Sequence, residues 1–88
     1  ATVLEPETHA ARTILVVDDE QAVLDVVRRF LEIAGHTVHG FRSGSAALKY
    51  VAQHRADLVI LDLMIPREEG LANFRAMHQA LPGVPILL

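Results

Sequence analysis

Residues Thr13 to Glu20 read TILVVDDE, and residues Asp57 to Asp62 read DLVILD. In both, a run of aliphatic and β-branched side chains continues without alternation and stops at an acid. A strand with one wet face would alternate polar and apolar positions. An unbroken apolar run of four or five residues instead suits a strand covered on both faces, as in a parallel sheet.

The intervening segments supply the covers. After Asp19, the residues Val23, Val26, Val27, Phe30, Leu31 and Ala34 recur at three- and four-residue spacing, which predicts a helix with that stripe turned inward. Gln21, Asp25, Arg28, Arg29 and Glu32 fill its other side. Asp19 suits the N-cap, and Gly35 the left-handed position past the last turn. Thr37 to Phe41 reads as a second strand. Ser43 is placed to cap a second helix running to about His54, with Ala47, Leu48 and Val51 inside. Beyond Asp62, a loop containing Pro66 and Gly70 leads into a third helix on which Leu71, Phe74, Met77 or His78, and Leu81 are periodic. Pro82-Gly83 ends that helix, and Pro85 to Leu88 begins a fourth strand. Residues 1–12 contain Pro6 and no periodicity, so they read as a flexible tail or linker, and 13–88 as a partial domain. The order β-α-β-α-β-α-β, with short helical crossovers, predicts an α/β fold: a parallel sheet between two helical layers.

Bulk properties narrow the function classes. Eighty-eight residues fit one small domain. A hydrophobic share of 51% is too high for a disordered chain. The formal net charge of −3 argues against the basic footprint of direct nucleic-acid binding. The apolar runs are too short to span a bilayer, and residues 1–12 lack a signal-peptide core, so a cytoplasmic protein without membrane contact is expected. The absence of cysteine excludes disulfides and thiolate metal sites.

Open parallel sheets gather their chemistry at the carboxyl ends of the strands, beside the point where strand order reverses. The first strand here ends in Asp18-Asp19 and the third in Asp62. If those strands are neighbours, three carboxylates converge and repel one another. A divalent cation relieves the conflict, and carboxylate, carbonyl and water oxygens suit Mg²⁺ or Mn²⁺. A carboxylate beside such an ion can act as a nucleophile toward phosphorus and form an acyl phosphate. Asp62, alone at its strand end before an exposing loop, is the candidate nucleophile; Asp18 and Asp19 suit metal holding. Taken singly, each acid is an ordinary cap or turn residue, and the conjunction at two strand tips carries the inference.

The segments ILVVDDE (Ile14 to Glu20), AGH (Ala34 to His36), SGSAAL (Ser43 to Leu48), DLVILDLMIPREEG (Asp57 to Gly70) and LPGVPILL (Leu81 to Leu88) together resemble the receiver domain of two-component response regulators. The match covers nearly everything from Thr13 onward. The resemblance implies a CheY-like, flavodoxin-like three-layer fold with strand order 2-1-3-4, strand 5 and the last helices missing. It also implies Asp62 as phosphoacceptor, Asp19 and Asp62 as direct Mg²⁺ ligands, and Asp18 acting through water. Met64 would offer its backbone carbonyl to the metal, and Pro66 and Gly70 would shape the loop behind the acceptor. The implied phosphoryl donor is a histidine kinase or phosphotransfer protein, and no enzyme acting on a separate substrate is expected. The family also places a Thr or Ser after strand 4 and a Lys after strand 5. This sequence stops at Leu88, and its one lysine is Lys49, in the second helix. Impaired phosphorylation and switching are therefore expected of this chain, with self-association through the strand 4 edge.

Three rival functions are distinguishable. A Mg²⁺-dependent phosphohydrolase with an aspartate nucleophile would want a second Asp where Met64 stands. A flavodoxin-like cofactor binder would need a glycine- and hydroxyl-rich phosphate loop where Asp18-Asp19-Glu20 stands. A receiver-like interaction module would never accept phosphate. The histidines His9, His36, His39, His54 and His78 show no metal-ligand spacing with a third partner and read as surface residues.

Overall fold

A computed structural model describes residues 11–62 and 67–88. The elements are β1 (Thr13–Val17), α1 (Gln21–Ile33), β2 (Thr37–Phe41), α2 (Gly44–Val51), β3 (Leu58–Leu61), α3 (Arg67–Ala80) and β4 (Ile86–Leu87). All strand pairs are parallel, in the order β2-β1-β3-β4. This is the expected CheY-like arrangement of a four-stranded sheet with three helices. Among the described residues, no helix is long and apolar enough to cross a membrane.

The two faces of the sheet build separate cores. Leu15, Val17, Val59 and Leu61 point to one face and pack with Ala47 and Val51 of α2, Met77 of α3, and Leu81. Ile14, Val16 and Val38 point to the other and meet Leu24 of α1, with Val27, Leu31, Leu58 and Ile60 partly buried around them. The unbroken apolar reading of β1 follows directly, since a central strand must satisfy both cores. Burying each large side chain contributes roughly 1.5–3 kcal/mol.

Several local features differ from expectation for identifiable reasons. The residue buried on α1 is Leu24, while Val23, Val26 and Phe30, expected inside, are exposed; Phe30 keeps 70% of its surface and Ile33 76%. Helix α1 carries two adjacent apolar arcs, and the sheet takes the one centred on Leu24, Val27 and Leu31. The N-cap of α1 is Glu20, not Asp19, and no side chain caps it. The Asp18 carboxylate instead accepts the Glu20 N–H at 2.9 Å, ahead of the helix. Helix α2 stops at Val51, and the expected turn toward His54 persists only as bonds from the Gln53 and His54 amides to the Tyr50 carbonyl. Ser43 does cap α2, accepting from the Ala46 N–H at 3.2 Å.

Gly70, expected in a loop, lies in the first turns of α3 and is buried. The β3 ladder begins at Leu58 because Asp57 turns its side chain to the Thr13 N–H, at 2.8 Å, while its own N–H donates to the Thr13 carbonyl. Gly35 takes φ +98° just past α1, as its position suggests, and Gly83 takes φ +81° after α3. Residues 1–10 of the tail, Met64 and Pro66 lie outside the described residues. Arg12 is already tied to β2: its carbonyl accepts from the Thr37 N–H and its N–H donates to His36 Nδ1.

Candidate metal centre

Register decides the site. Val17 pairs with Leu61, so the next residues, Asp18 and Asp62, leave adjacent strands at the same level. The Asp62 N–H donates to the Val17 carbonyl at 2.9 Å, and the Asp18 N–H donates to the Phe41 carbonyl at 3.0 Å. The tip of β1 is thus braced by the strand on either side.

One carboxylate oxygen from each of Asp18, Asp19 and Asp62 lies within 4.8 Å of the other two. Asp18 and Asp62 are half-buried and Asp19 is exposed. The donor set is entirely carboxylate, which favours a hard divalent cation over soft or imidazole-seeking metals. A Mg²⁺ ion with ligands at about 2.1 Å holds its oxygens roughly 3–4 Å apart, so at most a small inward rotation of these side chains is required. The residues present therefore fit such an ion.

The sequence reading anticipated the three acids but not the cation beside them. Arg42, the first residue after β2, donates from Nε at 3.2 Å and Nη2 at 3.0 Å to the backbone carbonyl of Asp19. Its signal was positional: a cation at the tip of the strand next to the acidic pair, immediately before the helix-capping Ser43. The expected carbonyl ligand, from Met64, lies outside the described residues. Among the described residues, no histidine joins the acid cluster; Tyr50 sits between His39 and His54, with ring centroids 4.9 and 4.3 Å away, and His78 stacks on Phe74.

Residues 14–88 match the response regulator receiver domain. The chain belongs to that family. Response regulator MprA of Mycobacterium sp. (strain KMS) is 41% identical over 75 residues, which is 85% of this chain and 33% of that protein. MprA of Mycobacterium leprae is 40% identical over the same length. The chain thus spans about a third of the length of these curated relatives. Among solved structures, the response regulator TrrA of Thermotoga maritima, in complex with Mg(2+)-BeF, aligns with a TM-score of 0.79 at 31% identity, over 88% of this chain and 67% of TrrA. A CheY-like receiver domain from Methanospirillum hungatei aligns with a TM-score of 0.80 at 27% identity, over 88% of this chain and 62% of its own. The parallel 2-1-3-4 sheet of this receiver domain is the fold of those neighbours, and its acid cluster lies at the carboxyl edge where β1 and β3 adjoin.

Proposed function

We propose that Asp62 of this receiver domain accepts a phosphoryl group from the phosphohistidine of a histidine kinase or phosphotransfer protein, in a reaction that needs Mg²⁺ or Mn²⁺. The observation that carries this reading is the gathering of Asp18, Asp19 and Asp62 at one edge of the sheet. Asp18, Asp19 and Asp62 would hold the ion, with the Met64 carbonyl as a further ligand and Pro66 shaping the following loop. When bound, the ion supplies charge neutralisation for the phosphoryl oxygens. One Asp62 oxygen attacks phosphorus, the P–N bond to the donor imidazole breaks, and an acyl phosphate forms as the imidazole leaves with a proton.

The receiver domain acts on itself, not on a separate substrate, and this reading assigns it to the cytoplasm, with no direct nucleic-acid binding by this segment and no membrane contact. Its one lysine, Lys49, lies in the last turn of α2. The β4 edge, where Leu87 is half-exposed, is the proposed surface for self-association.

The test is to treat the protein with a small phosphoramidate donor and Mg²⁺ and to map the acyl phosphate by reductive trapping and mass spectrometry. Label is expected at Asp62, lost in Asp62→Asn and retained in Asp57→Asn, whose carboxylate serves the Thr13 amide. Equal labelling of the two variants, or no label in the unaltered protein, contradicts the assignment.

A further inference from the structure

The acid cluster rests on a single peptide unit. The Asp19–Glu20 peptide is held at both ends: its oxygen accepts both Arg42 bonds, at 3.2 and 3.0 Å, and its N–H donates to Asp18 Oδ1 at 2.9 Å. A guanidinium, one amide plane and the Asp18 carboxylate therefore form a continuous line of hydrogen bonds. The amide is polarised by the cation, so its N–H becomes a better donor to Asp18. Rotation of that plane would swing the Asp19 backbone and release the Asp18 oxygen together. The anchor is remote in sequence, 23 residues away at the tip of β2. It is also placed independently of the acids, because Phe41 pairs with Val17 in the sheet and Ser43 caps α2.

We propose that Arg42 is a positioning residue of the metal centre, fixing Asp18 and Asp19 through the peptide between them. The proposal rests on the reading of the acid cluster as a divalent-cation site. It competes with a simpler electrostatic effect of opposite sign. As a nearby positive charge, Arg42 would repel an incoming cation, and its removal would tighten binding. As a positioning residue, its removal weakens binding.

Positioning also matters unequally between ions. Mg²⁺ demands near-ideal octahedral geometry, whereas Ca²⁺ accepts loose and variable ligand sets. Loss of an outer partner that orients metal ligands typically costs 10–100-fold in affinity.

The experiment is calorimetric titration of Mg²⁺ and, separately, Ca²⁺ into the unaltered chain, Arg42→Ala and Arg42→Lys, with amide spectra of each metal-free protein. Arg42→Ala is expected to weaken Mg²⁺ binding about tenfold and Ca²⁺ binding by clearly less. The Glu20 amide resonance should move in the metal-free variant. Arg42→Lys, which keeps the charge but not the fork, should recover part of the loss. Unchanged or tighter Mg²⁺ binding in Arg42→Ala overturns the proposal, as does an equal loss for both ions. Absence of saturable Mg²⁺ binding by the unaltered chain would instead overturn the reading of the site itself.

Discussion

Replacing Asp62 by Asn removes one of three like charges while keeping the side chain's shape and an acceptor oxygen. Its carboxylate oxygen lies within 4.8 Å of those on Asp18 and Asp19, a separation at which each unit-charge pair repels by about 0.9 kcal/mol in water and about 3.5 kcal/mol at an effective dielectric of 20. Asp19 is exposed and the other two are half-buried, so the lower part of that range applies. Relief of two such repulsions contributes about 1–2 kcal/mol toward stabilising a metal-free Asp62→Asn protein. For a domain of this size that raises Tm by about 5–10 °C.

The assay is thermal melting followed by circular dichroism in chelator at low salt, repeated with Mg²⁺ and in about 1 M salt, where the screening length falls to roughly 3 Å. Mg²⁺ at ten times its Kd should stabilise the unaltered protein by about 1.4 kcal/mol and the variant by much less, narrowing the gap. High salt should narrow it too. A variant that melts below the unaltered protein in chelator, or gains equally from Mg²⁺, would refute the reasoning.

Other outcomes follow from the packing. Met77 is fully buried in the α2–α3 core, so Met77→Ala should cost about 2–5 kcal/mol in urea unfolding, whereas Phe30→Ala, at a 70% exposed site, should change stability by under about 0.5 kcal/mol. Gly35 has φ +98° and no heavy atom within 4 Å of an added Cβ, so the penalty of Gly35→Ala is conformational, about 1 kcal/mol in the same assay; Gly40→Ala, with ordinary contact to Leu24, should show no such loss. Leu87→Lys, which places a charge on the β4 edge, should lower the weight-average mass in sedimentation equilibrium; a mass independent of concentration in the unaltered chain would contradict the proposed self-association.

The parallel sheet was legible because β1 from Ile14 onward and β3 are unbroken aliphatic runs, a pattern that suits two-sided burial, whereas the strand order followed from the resemblance to receiver domains. The acid cluster was legible for the same reason: strand ends mark the chemical edge, and the paired strands end in Asp18-Asp19 and Asp62. Periodicity misjudged α1, because two apolar arcs lie side by side and spacing alone does not say which one meets the sheet. It also placed Gly70 in a loop, although α3 already begins at Arg67. Arg42 escaped notice because its bonds to Asp19 depend on β1 and β2 being side by side. No local pattern links residues 19 and 42.

The proposed metal centre shares one divalent cation between the tips of β1 and β3. Mn²⁺ added to isotopically labelled protein tests it directly, by paramagnetic broadening of amide resonances. Broadening should be confined to the amides around Asp18, Asp19 and Asp62, should saturate at one ion per chain, and should be displaced by Mg²⁺. Broadening spread over other exposed acids such as Asp25 and Glu32, with none concentrated at Asp62, would contradict the account.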